Sequence, residues 1–238
     1  MPSFRPVFVE DQIYHVYNRG IDDREVFLNE EYYTRFVNGL KLFNSVLPVQ
    51  IRDFVSPGIK SQEERRSKNV AEKYNEVDKL VEIGAFILKP THYHLLLRQK
   101  KPKGVPLFMQ KLGVGYTGFF NLKQSRKGPI FQGTYRAKII DNNVYARHIH
   151  VYIALNALDE KMPEWREGKI SNIVKAEQLL TSHPWSSIGA VISGSDRFKD
   201  IVYKGFENQF FDGVDDLKKE IRSWGAGSAD ILKKNIVI

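Results

Sequence analysis

Two histidines, His92 and His94, are the residues of this sequence best suited to chemistry, and they lie in the stretch IGAFILKPTHYHLLLR from Ile83 to Arg98. The short apolar runs around them, divided by a Lys-Pro-Thr turn, favour buried strands. On a strand the two imidazoles point to one face, about 7 Å apart, and Tyr93 points to the other. Either the pair shares a divalent metal ion with Tyr93 packed behind it, or it is two half-exposed polar residues on the wet face of a sheet.

A tyrosine and an asparagine one helical turn apart form the second set of candidates. The segment from Asn143 to Leu158 follows an Asp-Asn pair that is typical of a helix start. Tyr152 and Asn156 then share a face with His148, and a hydroxyl and an amide aimed at a histidine pair would form a reaction centre. His148 and His150 form another His-x-His, but positions two apart on a helix point in nearly opposite directions and cannot chelate one ion.

The elements that must position these side chains are strands and amphipathic helices. Alternation predicts strands at residues 12–17 and 135–140, and helical spacing of apolar residues predicts helices at 30–44 and 105–123. His15, on the first strand, is either a third imidazole near the metal or a partly exposed strand histidine.

Basic residues alternate with aromatic residues between the second helix and the last strand. Such interleaving, here around Phe131 and Tyr135, suits a single-stranded nucleic acid, and it equally suits an ordinary amphipathic strand. The candidates for holding a nucleic-acid backbone are Arg126, Lys127, Arg136 and Lys138.

Composition indicates the kind of partner and the compartment. The chain has 36 Lys and Arg against 28 Asp and Glu, a net charge of +8, which suits a polyanion such as nucleic acid. It has no cysteine, which excludes disulfides, thiolate nucleophiles and cysteine-ligated metals and fits a reducing compartment. No apolar run approaches the about 20 residues of a membrane span, and the N-terminus lacks a signal-peptide core, so we expect a cytoplasmic protein without membrane contact.

Taken together, five segments resemble the REP-associated tyrosine transposases, a single-tyrosine group within the HUH endonuclease superfamily. In family order they are HVYNRG (His15–Gly20), KPTHYHLL, GPIFQGTYRAKII (Gly128–Ile140), YIALN (Tyr152–Asn156) and Trp185-Ser186-Ser187. They cover most of the chain up to about residue 190. Two positions depart from the family pattern: Tyr93 replaces a smaller aliphatic residue, and Ala157 replaces the proline that usually follows the asparagine.

The resemblance implies an α+β fold, with a ferredoxin-like antiparallel sheet that has helices on one face and the histidine pair on a central strand. It implies a transposase domain over residues 1–190. A charged run at about 45–78 is predicted to be a surface insertion, and residues 191–238 a helical C-terminal extension.

The resemblance also implies the site. Tyr152 would be the catalytic nucleophile, and His92, His94 and Asn156 would bind the metal. Two imidazoles and one amide oxygen suit Mg²⁺ or Mn²⁺. The implied activity is cleavage and rejoining of single-stranded, hairpin-forming DNA through a 5′-phosphotyrosine intermediate. Tyr116, on the preceding helix, is the alternative nucleophile.

Two other functions stay open from the sequence. One is a catalytically silent DNA-binding protein, a domesticated transposase acting as a regulator. The other is a metal-dependent nuclease in which water is the nucleophile. The wider group includes dimers with shared sites, so both a monomer and a homodimer remain open.

Overall fold

The strands of this protein form an antiparallel sheet in the order β2-β3-β1-β4. The computed structural model describes residues 5–47 and 78–224. Within them the strands are Ile13–Arg19 (β1), Val81–Lys89 (β2), His92–Gln99 (β3) and Arg136–Ile140 (β4). Two helices separate them, Glu30–Leu42 (α1) after β1 and Gly104–Lys123 (α2) after β3. This β-α-β-β-α-β order is ferredoxin-like, as predicted, and the histidine strand β3 is central. Most of the predicted insertion and the last 14 residues of the extension lie outside the described residues.

The register of the central strands decides which side chains share a face. β1 pairs with β3 so that Tyr17 lies opposite His94 and Arg19 opposite His92. Because successive side chains alternate, these four residues face one side of the sheet and Tyr93 faces the other. We call the Tyr93 side the first face and the histidine side the second face.

The first face is covered by α1 and α2. Asn29 caps α1 by accepting a hydrogen bond from the backbone N–H of Glu31. The apolar side of α1 then packs with that of α2 on one large core. Tyr93 is buried there, with its ring 5.0 Å from that of Phe36, so it packs behind the histidine pair as predicted.

The second face is covered by helices that follow β4. They are Asn143–Leu155 (α3), Ile173–Ser182 (α4), Ser187–Ser193 (α5) and Gly213–Arg222 (α6). Together with Ile87, Leu96 and Ile140 of the sheet they form a second core. The ferredoxin-like unit therefore has its own helices on one face, and the C-terminal helices bury the other. Within residues 5–47 and 78–224, no helix has both the length and the apolar character that crossing a membrane requires.

The Trp185-Ser186-Ser187 segment protects the edge strand β2. The backbone N–H of Leu88 donates to the carbonyl of Trp185, and the Ser187 hydroxyl bonds to both the N–H and the carbonyl of Phe86. These bonds satisfy edge groups that would otherwise be open to pairing with another chain. This part of the family resemblance therefore has a structural explanation.

The described part of the C-terminal extension docks against α3. Arg147 on α3 forms ion pairs with Asp216 at 2.8 Å and Glu220 at 2.7 Å, both on α6. The Trp224 indole N–H donates to the carbonyl of Trp165 at 3.0 Å. Residues 206–224 thus contribute to the second core, whereas Phe198 packs in the first, and the domain boundary at 190 stays a prediction.

Substitutions at two glycines of α2 are predicted to change the stability of the protein in opposite directions. A Cβ at Gly115 would lie 2.3 Å from the buried ring of Phe43, whereas a Cβ at Gly113 would meet nothing within 4 Å. We expect Gly115→Ala to lower the free energy of unfolding by about 1–3 kcal/mol through overpacking. Gly113→Ala should raise it by about 0.5–1 kcal/mol, because alanine favours the helix. Urea unfolding of the two variants tests this, and changes of the same sign would contradict the packing described.

Candidate active site

Three imidazoles lie together on the second face of the sheet. His92 and His94 of β3 have ring centroids 5.3 Å apart with nearly perpendicular planes. His15 of β1 stacks on His94, and its Nε2 lies 2.9 Å from Nδ1 of His94, at hydrogen-bond distance. His15 is fully buried. It is therefore a third imidazole at the site and not a partly exposed strand histidine.

Burial keeps these imidazoles neutral at physiological pH. Desolvation lowers the pKa of His15 to about 3, with Lys138 adding a smaller repulsion. Desolvation also lowers the pKa of His92 to about 4 and that of His94 well below its usual value. A neutral imidazole has one nitrogen lone pair available, which is the form that binds a metal ion.

Tyr152 reaches the histidines from the helix that crosses the second face. Its ring packs edge-on against His94 with centroids 5.4 Å apart, and it lies 6.1 Å from the ring of His15. The Tyr152 hydroxyl is buried and forms no hydrogen bond of good geometry. Burial raises the pKa of Tyr152, and the nearby Arg166 guanidinium and Asn156 amide act in the opposite direction.

Asn156 is buried beside Tyr152, but its oxygen is already engaged. The side-chain oxygen accepts a hydrogen bond from Arg166 at 3.2 Å, and the amide nitrogen donates to the carbonyl of Tyr152 at 2.7 Å. The α-helix ends at Leu155, and Asn156 begins a short 3₁₀ turn, so the helix is shorter than the predicted 143–158. The chain therefore leaves the helix at Asn156 even though Ala157 replaces the family's proline.

Sequence reasoning missed Arg166 and Asp159. The Arg166 guanidinium bonds to both carboxylate oxygens of Asp159, at 3.1 and 3.0 Å, and packs over the Trp165 ring. This arrangement depends on the chain folding back through the 3₁₀ segment Pro163–Glu167. Such a return has no periodic pattern, so no signal in the sequence would have identified the pair.

The ring nitrogens of His92 and His94 are suitable ligands for a metal ion. Nδ1 of His92 lies 2.9 Å from the Thr91 hydroxyl and Nδ1 of His94 is bonded to His15, which leaves Nε2 of each ring for a ligand. Nε2 of His94 is buried without a hydrogen-bond partner. Metal-binding histidines usually have the other ring nitrogen fixed in this way. In the described part of the chain no three His, Asp or Glu side chains are arranged to hold an ion, so Asn156 remains the third candidate.

The predicted basic residues divide into two groups. On β4, Arg136 lies opposite Tyr17 and Lys138 opposite His15. Arg136 contributes to a cleft at the strand ends, which we call the histidine cleft. It is lined by Tyr17, Asn18, Arg19, His92, Tyr93, His94, Gln132 and Arg136. Arg126 and Lys127 instead lie in the turn after α2, where the Arg126 guanidinium donates to the carbonyl of Pro129 at 3.0 Å, and they do not line this cleft.

The structure does not bring Tyr116 to the histidines. Tyr116 is buried in the core of the first face, and its hydroxyl donates to the carbonyl of Val26. Burial raises its pKa. The two histidines of α3 also lie away from this site: His148 packs against Trp224, and His150 is enclosed by phenylalanine rings.

Comparison with known proteins finds a likeness among solved structures and none among families or curated proteins. No protein-family model matches the sequence, and no curated protein matches it significantly. Among solved structures, the chain is similar to a REP-associated tyrosine transposase bound to a REP hairpin, with 14% sequence identity and a TM-score of 0.49, over 81% of this chain and 86% of that chain. The fold described above follows from the strand order and register of this chain itself.

The bond between His15 and His94 predicts an effect on metal affinity. His15→Phe keeps a ring in the core but removes the partner of His94 Nδ1, so we expect Mn²⁺ binding to weaken by about 10- to 100-fold. His150→Phe is the control, because His150 is equally buried but lies among phenylalanines away from the site. Calorimetric titration with Mn²⁺ measures both. An equal loss in the two variants, or none in His15→Phe, would contradict the positioning role.

Proposed function

We propose that this protein is a metal-dependent single-stranded DNA endonuclease and strand transferase that uses Tyr152 as its nucleophile. The observation that best supports this is the edge-on packing of Tyr152 against His94, with Asn156 one turn beyond it. This supports a site composed of a tyrosine and two imidazoles from distant parts of the sequence, with the Asn156 amide as its fourth member. The family resemblance of the same segments supports the same function.

The proposed step is an in-line displacement at phosphorus. The Tyr152 oxygen gives up its proton and attacks the scissile phosphate, forming a phosphotyrosine bond while the bond from phosphorus to the 3′ oxygen breaks. The departing oxygen takes up a proton and becomes a free 3′-hydroxyl. Attack of a 3′-hydroxyl from another strand reverses the step, so one phosphoester replaces another and no external energy source is needed.

The residues around Tyr152 must favour its ionised form. Burial opposes ionisation, whereas Arg166 and Asn156 favour it. His92, His94 and Asn156 would hold Mg²⁺ or Mn²⁺. When bound, such an ion would supply Lewis-acid polarisation of the scissile phosphate. The Asn156 oxygen already accepts a hydrogen bond from Arg166, so an ion bound through its second lone pair would lie close to a positive charge.

Access to Tyr152 requires a movement of the chain. The side chain is only 3% exposed, and Trp165 lies against it with ring centroids 5.7 Å apart. A phosphate can reach the hydroxyl only after the groups that cover it move, and Trp165 is one of the side chains packed on this ring. The neighbouring ion pair between Arg166 and Asp159 joins the segment Pro163–Glu167 to the turn after α3.

The proposed substrate is single-stranded DNA that forms hairpins. Arg136 of the histidine cleft provides positive charge beside the imidazoles, Lys138 lies opposite His15, and Arg19, which also lines the cleft, is paired with Asp23 at 2.8 Å. A net charge of +8 suits such a polyanion. In this proposal the protein acts in the cytoplasm, as a monomer or a homodimer.

A catalytically silent DNA-binding regulator is the second candidate. It is favoured by the burial of the Tyr152 hydroxyl and by the engagement of the Asn156 oxygen with Arg166. Both functions require DNA binding, and only the first requires a covalent bond between Tyr152 and DNA.

The covalent intermediate is the decisive test. Wild type and Tyr152→Phe are incubated with Mn²⁺ and hairpin-bearing single-stranded DNA from beside the gene, and intact masses are measured. Phenylalanine keeps the ring packing against His94 and Trp165 but lacks the oxygen that attacks. We expect a DNA adduct on wild type and none on Tyr152→Phe. Cut DNA without an adduct would favour water as the nucleophile, and binding without cutting would favour the regulator.

Replacing Arg166 should separate metal binding from catalysis. Arg166→Gln removes the positive charge beside the Asn156 oxygen and leaves at most a neutral donor there, so we expect Mn²⁺ affinity to rise by about tenfold, the effect of one charged hydrogen bond. Adduct formation should slow by about tenfold, because the phenolate loses its cation. Arg197→Gln is the matched control, since Arg197 also packs over a tryptophan, Trp185, away from the site. An unchanged Mn²⁺ affinity in Arg166→Gln would contradict an ion bound beside this arginine.

A further inference from the structure

A lysine side chain is buried beside the histidine pair. Lys89, the last residue of β2, is only 4% exposed, and lysine is rarely buried to this extent. It pairs directly with His92 across the turn of residues 90–91, so the two side chains lie next to each other on the second face. The function proposed above gives this lysine no role.

The backbone fixes the positions of Lys89 and His92. The N–H of Gly20 donates to the carbonyl of Thr91 at 2.7 Å, and the N–H groups of residues 26 and 27 both donate to the carbonyl of the preceding proline. These bonds hold the turn of the hairpin from outside it. The place of the lysine beside the imidazole is therefore set by the hairpin and does not depend on a flexible loop.

The ammonium group of Lys89 has a weak partner. Among the described residues its ionic partner is Glu160, in the turn after α3, at 3.6 Å, which is longer than a hydrogen bond. The Glu160 side chain is 63% exposed. Burial of an ammonium group is costly unless strong partners replace the water that it loses. The charge of Lys89 is therefore incompletely compensated, on the side where Glu160 meets solvent.

The neighbouring groups do not supply the missing negative charge. Asp159 is engaged elsewhere, because the Arg166 guanidinium bonds to both of its carboxylate oxygens. His183 is neutral, since desolvation and the charge of Lys89 lower its pKa to about 4. Glu160 is thus the carboxylate that an incoming anion would have to replace.

A positive charge at this position opposes a metal site unless an anion joins it. Burial lowers the pKa of His92 to about 4, and the charge of Lys89 acts in the same direction. The same repulsion would act on a divalent ion held by this imidazole. A phosphate group placed there carries a negative charge that attracts both cations.

We propose that Lys89 binds a backbone phosphate of the DNA strand at the histidine pair, and that Glu160 occupies this phosphate site until DNA displaces it. A phosphate accepts charge-assisted hydrogen bonds of about 2.7–2.9 Å, which are stronger than a loose ion pair. The exchange requires only that the exposed side chain of Glu160 rotates away. The presence of DNA at the histidine pair rests on the proposed function, whereas the exchange of anions is argued from the ion pair itself.

Replacing the two partners should change DNA binding in opposite directions. Binding of fluorescein-labelled dT20 is measured by anisotropy at several salt concentrations. We expect Lys89→Gln to weaken binding by about tenfold, the effect of one charged hydrogen bond. The slope of log affinity against log salt should become shallower by about 0.7, the value for one phosphate contact on a single strand. Glu160→Gln should strengthen binding by about two- to fivefold, because it removes a competing surface ion pair.

A second ion pair provides the matched controls. Lys41 and Asp200 lie 3.2 Å apart, the carboxylate is 64% exposed, and neither residue lines the histidine cleft. Lys41→Gln and Asp200→Asn change the net charge by the same amounts as the two test variants, and we expect nearly unchanged binding of dT20. In the double variant Lys89→Gln/Glu160→Gln, the gain from Glu160→Gln should disappear, since it requires the ammonium group.

Equal effects at the two ion pairs would overturn the proposal, as would an unchanged salt slope in Lys89→Gln or a gain from Glu160→Gln that persists without the lysine. Thermal unfolding checks that each variant is folded, and Lys89→Met provides the same test if Lys89→Gln is unstable. Binding of dT20 requires no cleavage. A DNA adduct with binding that is independent of Lys89 refutes the phosphate site alone, and binding that depends on Lys89 without an adduct refutes the cleavage alone.

Discussion

The hydrogen bond between His15 and His94 is the interaction on which the site depends. Both rings are fully buried and neutral, so each has one N–H and one lone pair, and the bond decides how they are shared. When His94 donates from Nδ1, its Nε2 lone pair is directed away from His15, at the buried position beside Tyr152. The opposite arrangement would place a proton there and block metal binding. A ligand at Nε2 therefore selects one tautomer of the pair.

The helices that follow the ferredoxin-like unit cover the second face of the sheet. The sheet alone would expose His15 and His94 to water, and their low pKa values result from burial. The helix α3 provides that burial and also supplies Tyr152. Its apolar side chains pack in the second core, and Arg147 adds ion pairs with two carboxylates of α6. The described part of the C-terminal segment thus supports the helix that buries the histidines.

Sequence patterns predicted the parts of the site that follow local periodicity. Strand alternation placed His92 and His94 on one face, and helical spacing placed Tyr152 and Asn156 one turn apart; the resemblance supplied the β-α-β-β-α-β order. The burial of His15 was not predictable, because alternation identifies a face but not what covers it. Arg166 was missed for a related reason. It lies in a 3₁₀ segment after the helix, and a segment this irregular has no periodic pattern from which its contacts could be predicted.

Arg166 and a divalent cation would each provide a charged partner for the buried side-chain oxygen of Asn156. Asn156 is fully buried, and a buried carbonyl oxygen without a partner is costly. In the structure Arg166 satisfies it, and the same residue, held by Asp159, keeps Trp165 over Tyr152. In the proposed function a metal ion would bind the same oxygen, and Arg166 would keep its ion pair with Asp159 and its place beside Tyr152. The buried amide oxygen would then have a charged partner both with and without the ion, so it is never left unsatisfied.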